Sequence, residues 1–140
     1  MAPYNPVPRT LWDLASSGLG TTLTASGNSG STAAKLIDLL DVTDVWLSVF
    51  VAGTSTGTSP TLDVGLDIQD PDGNWFTTIT KITQLTSAPG HSSAFAGLHM
   101  PNVSTTSAAI ALPRWCRIAW TIGGTATPTF PQVSICLTGR

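Results

Sequence analysis

From residue 20 to the C-terminus, short apolar runs alternate with clusters of Gly, Pro, Asn, Asp and Ser. The intervals are about 8 to 12 residues, the rhythm of a β-sandwich or barrel. In residues 45–51 (VWLSVFV), Val45, Leu47, Val49 and Val51 fall on one side of an extended chain, and Trp46, Ser48 and Phe50 on the other. Both sides are largely apolar, which predicts a central strand. Residues 61–69 alternate more cleanly: Leu62, Val64, Leu66 and Ile68 point inward, and Asp63, Asp67 and Gln69 point to solvent. Asp70-Pro-Asp-Gly-Asn74 then has turn chemistry, and residues 75–80 (WFTTIT) return as the second strand of a hairpin.

Two stretches are less regular. Residues 31–40 (STAAKLIDLL) contain the best helix candidate, but it is short, and a strand leading into Asp41 is preferred. Residues 87–109 are rich in Ser, Ala, Gly and Thr and predict a long surface excursion around one weak strand near Phe95. At the C-terminus, residues 114–122 and 130–138 predict a hairpin across GGTATPT (123–129). The register that keeps one apolar face pairs Cys116 with Leu137, Ile118 with Ile135 and Trp120 with Val133. It turns both thiols inward and predicts two free cysteines.

Residues 1–20 break the rhythm. Pro3, Pro6 and Pro8 restrict φ and remove backbone donors, which predicts an extended arm, with Tyr4, Leu11, Trp12 and Leu14 as apolar hooks. The arm either grips another surface or folds over its own domain. The expected architecture is therefore all-β: an extended Pro-rich N-terminal arm (1–20) and one antiparallel β-sandwich, jelly-roll-like, over 21–140.

Composition narrows the function. The 140 residues carry six Lys and Arg against eight Asp and a formal net charge of -2, with scattered basic residues. That pattern gives no electrostatic footprint for nucleic acid. So low a charge density predicts a surface that largely meets other protein. There is no basic-then-apolar signal segment at the start and no run of apolar residues long enough to span a membrane, so neither secretion by a signal peptide nor a membrane partner is expected. The two cysteines, Cys116 and Cys136, lack metal-ligand spacing and are too few for a disulfide framework.

Candidate chemistry is weak throughout, and no cofactor is expected. Asp63, Asp67, Asp70 and Asp72 are close in sequence, but a calcium loop of the EF-hand type needs a Glu, which the chain lacks. Acid–base hydrolysis needs two carboxyls facing one cleft, and Asp63 and Asp67 are expected on a wet face. His91 and His99 have no evident metal partner or orienting acid, and no Gly-x-Ser-x-Gly elbow is present. Trp46 and Trp115 lie opposite the aliphatic faces, where a subunit, a packed layer or a sugar could cover them.

Several motifs recur together in residues 40–140: GTSPTLDV (57–64), DGNW (72–75), QLT (84–86) and LPRWCRIAWTIGGT (112–125), closed by a Pro-Thr-Phe strand. In this order they resemble a family of small tailed-bacteriophage virion proteins. That pattern usually has Tyr where this chain has Trp115, and it does not include the proline-rich start. The resemblance implies a non-enzymatic structural protein of the virion, a capsid decoration or minor capsid protein made in the host cytoplasm. Its implied partners are the major capsid protein and further copies of itself, by analogy a trimer. The candidate contact residues are Tyr4, Leu11, Trp12, Leu14, Trp46 and Trp115. A tail or head–tail protein, and a carbohydrate-binding module for surface attachment, are the alternatives.

Overall fold

A computed structural model describes residues 7–14, 20–30, 32–100 and 106–140. Its strands are β1 (Arg9–Leu14), β2 (Thr21–Leu23), β3 (Gly27–Asn28), β4 (Ile37–Asp38), β5 (Asp44–Val51), β6 (Thr56–Gln69), β7 (Trp75–Lys81), β8 (Gly90–Gly97), β9 (Ser107–Ala109) and β10 (Trp115–Gly139). They form one curled, mixed sheet ordered β7-β6-β10-β5-β8-β9, with β1 to β4 also pairing with β10. The β8–β9 ladder is parallel and the others are antiparallel.

The alternation read from residues 45–51 and 61–69 sets the core. Leu47, Val49 and Val51 of β5 face Leu62, Val64 and Leu66 of β6, and all are at most 1% exposed. Ile118, Ile135 and Leu137 of β10 complete the same cluster. Each such side chain contributes about 1.5–3 kcal/mol on burial, so this one apolar cluster holds the whole sheet. β5 is central, as expected, with β10 and β8 as its neighbours. The β6–β7 hairpin also forms, and its turn is closed by Gly73 N–H donating to Asp70 O at 3.0 Å.

The C-terminal hairpin does not form. Residues 115–129 of β10 pair with β6, placing Cys116 opposite Ile68, Ile118 opposite Leu66 and Trp120 opposite Val64. Residues 133–139 pair instead with β5 on one side, while 135–139 pair with β1 on the other. The loop at 123–129 bends the strand and does not reverse it: Gly124, Ala126 and Thr127 take positive φ there, and the chain continues from one limb of the sheet into the other. Pairing with β6 keeps the same apolar face as the hairpin would have, and it adds an ion pair between Arg117 and Asp67 across the ladder.

Three further expectations are corrected. Residues 90–97 are a full eight-residue strand, β8, paired along all of β5; its buried inward residues, Ala94 and Ala96, are too small to produce a strong apolar pattern. Residues 31–40 give a 3-10 turn at Ala33–Lys35 and the two-residue β4, not one strand. Asp67, expected in solvent, is 1% exposed. As for the segment read as an arm, its residues 9–14 lie along β10 as β1, and Leu11, Trp12 and Leu14 pack against the chain's own core.

Candidate binding surfaces

The two halves of β10 carry outer faces of opposite chemistry. On the limb built from β8, β5 and the second half of β10, outward residues stand in three rows: Phe95–Trp46–Thr138, Ser93–Ser48–Cys136 and His91–Phe50–Ser134. Directly opposed antiparallel residues share a face and touch. Trp46 and Phe95 stack with ring centroids 6.1 Å apart and planes 9° apart, and Phe50 and His91 stack at 5.9 Å and 13°. The two stacks are separated by four residues along β5, about 13 Å at strand rise. Between them lies a trough of about 340 Å³ floored by Ser48, Ser93 and Cys136. No Asp, Lys or Arg is among the described residues lining it. Trp46 is 49% exposed and Phe50 54%.

At the end of this face, a second hollow of about 250 Å³ lies between Trp46, Phe95, Met100 and the Asp44–Arg140 region. The buried Asp44 carboxylate accepts the His99 backbone N–H at 3.0 Å, lies 2.8 Å from His99 Nδ1 and 3.4 Å from Arg140 Nε. Burial alone would raise its pKa. The His99 hydrogen bonds and the His99 and Arg140 charges outweigh burial and hold the carboxyl below its ordinary value. Gly97 is required here: at φ +150°, a Cβ would collide with Asp44 Oδ1 and Thr43 O.

The other limb, built from β7, β6 and the first half of β10, gathers charge. Arg117 Nε donates to Asp67 Oδ2 at 2.9 Å, and the Thr78 N–H donates to Asp67 Oδ1 at 2.8 Å across the β6–β7 bulge. The Arg117 guanidinium also lies 4.2 Å from the centre of the Trp75 ring. Asp63 takes Lys81 Nζ at 3.4 Å and Gln84 Nε2 at 2.6 Å. Arg114 sits 4.6 Å over Trp115 and makes two bonds to Asp38, at 3.2 and 3.0 Å. Those bonds, with the Leu40 N–H, hold the Asp38 carboxyl below its ordinary pKa and raise that of Arg114. Side-chain and backbone hydrogen bonds from Asn74 likewise lower that of Asp70.

With this geometry in place, comparison with known proteins adds no relative. No family model matches the chain, and no curated protein does.

The six contact residues read from the sequence separate into three groups. Trp46 stands on the open aromatic face; Trp115 is half-buried under Arg114; Leu11, Trp12 and Leu14 are partly buried against the core. Tyr4 lies outside the described residues. The sequence reading missed Phe95, because it lay in the supposed excursion, and it missed the Asp44–His99 pair, whose members are 55 positions apart. Both cysteines are free, but only Cys116 points inward as expected: Cys136 alternates with the buried Leu137 and is half-buried in the floor of the outer trough. Burial, with Asp67 nearby, pushes the Cys116 thiol far above its ordinary pKa, so it stays protonated.

Proposed function

We propose that this chain is a non-enzymatic structural protein of a tailed-phage particle, a decoration or minor capsid protein. It assembles with copies of itself and binds the outside of the shell through the outer face of β5, β8 and β10. The observation that carries this reading is that face: two pre-stacked aromatic pairs, half-exposed, flanking a trough that no Asp, Lys or Arg among the described residues lines. Rings already held by a neighbour lose little rotamer freedom on docking. Each Å² of apolar surface they hide contributes roughly 25 cal/mol, repeated at every symmetry copy. The motif order in residues 40–140 supports the same reading. In it, the curled sheet is a jelly-roll-like sandwich whose two limbs share one core, and the segment ahead of β1, with Tyr4, adds to the grip on the shell.

The test is the composition of purified particles. Quantitative mass spectrometry should find the chain with the shell in high copy number, and the double variant Trp46→Ala/Phe50→Ala, still folded, should be recovered free of particles. A chain found only in isolated tails, or absent from virions, overturns the assignment.

A further inference from the structure

The charged limb has a concavity that the assembly reading does not use. It is about 420 Å³, lies between the Asp70–Asn74 turn and Trp115, and is walled by Pro71 and Pro113. We propose that this groove binds a neutral glycan.

The polar groups of the groove are held in place by the chain's own contacts. The Trp115 indole forms one side, and the Arg114 guanidinium stacked on it fixes the ring. Arg114 is itself anchored by two bonds to Asp38, which neutralise it and leave a terminal nitrogen with donors to spare. Gln69 stands beside Trp115 in the β6–β10 register; its Nε2 donates to Gly73 O at 3.1 Å, which orients the amide and leaves its carbonyl oxygen as an acceptor. Both Asp70 oxygens are engaged by Asn74, at 2.8 and 3.0 Å.

The groove therefore offers a fixed aromatic plane, a fixed amide and a charge-compensated guanidinium. A sugar ring matches this set, with a C–H face for the indole and a rim of hydroxyls for the amide and guanidinium. An acidic ligand would meet Asp70 and Asp38, and an apolar side chain would strip water from polar groups without replacing their hydrogen bonds. Because this site is on the other limb from the shell-binding face, either can fail without the other.

The experiment is an array of neutral oligosaccharides of glucose, galactose, mannose and N-acetylglucosamine, probed with the full-length protein and followed by titration of the best binder. The expected result is binding that weakens tenfold or more in Trp115→Ala and severalfold in Gln69→Ala. Trp115→Phe should retain part of it, and Trp46→Ala all of it. Melting curves establish that each variant is folded. The proposal is overturned if no neutral oligosaccharide binds, if sialylated or sulfated glycans bind better than neutral ones, or if folded Trp115→Ala and Gln69→Ala both bind as the parent does.

Discussion

The two outer faces grow from the same strand, yet one covers its aromatic rings with charge and the other leaves them open. On the β6–β7 side, Trp75 and Trp115 each lie under an arginine, and those arginines are tied to Asp67 and Asp38. Three of the six basic residues, Lys81, Arg114 and Arg117, are gathered there. On the β5–β8 side, Trp46 and Phe50 stack on Phe95 and His91, with serines and Cys136 between them. A guanidinium over an indole keeps the ring's surface partly wet and ordered at no cost in solubility, whereas a stack of bare rings stays costly until a partner covers it. The position of the charges thus separates a face whose rings are covered by arginines of the same chain from one whose rings stay half-exposed, the face that the proposed assembly would cover.

Substitutions on the two faces should differ accordingly. The largest effect is expected from Arg117→Met, which strands the buried Asp67 carboxylate: a loss of about 3 kcal/mol in urea-unfolding free energy. A loss below about 1 kcal/mol would mean that packing, not the ion pair, sets the β6–β10 register. Next comes Asp44→Asn at the end of the open face, costing about 1–2 kcal/mol at neutral pH. Because the folded carboxyl titrates below its unfolded value of 3.8, its contribution is present above that pH and is lost as pH falls through the lowered pKa. The parent protein should therefore lose stability on acidification more steeply than Asp44→Asn, and parallel pH profiles of the unfolding midpoint would refute this.

Trp46→Ala should cost the fold no more than about 1 kcal/mol while abolishing particle attachment. Smallest of all is a labelling difference with no change in stability. Native protein treated with iodoacetamide should be modified at Cys136 in the open trough and not at Cys116, which reacts only after unfolding. Equal labelling would show that the charged limb opens as readily as the other face.

Much of this architecture was legible from alternation alone, because a period of two fixes which side chains are buried whatever strand lies alongside. The inward sets of β5 and β6 and the Asp70–Asn74 turn needed nothing more. Pairing partners were not legible in the same way. Cys116, Ile118 and Trp120 would satisfy an apolar face opposite β6 or opposite the second half of β10, and the β6 pairing that forms brings Arg117 to an Asp67 fifty positions away, a contact no local pattern shows. β8 was obscured because its buried core positions, Ala94 and Ala96, are small and its outward ones, His91, Ser93 and Phe95, mix polar and aromatic residues. The contact residues follow the same division: Trp46 could be read from its own strand, but its partner Phe95 could not, nor could the strand that leaves Leu11, Trp12 and Leu14 partly buried against the chain's own core.

The central claim is that the β5–β8 face is completed by assembly. Cryo-electron microscopy of the intact particle tests it most directly. The expected result is density from a neighbouring protein packed over Trp46, Phe50 and Phe95, with the Arg114 and Arg117 side turned to solvent. A reconstruction in which the aromatic face is open to solvent and the charged limb meets the shell would contradict it.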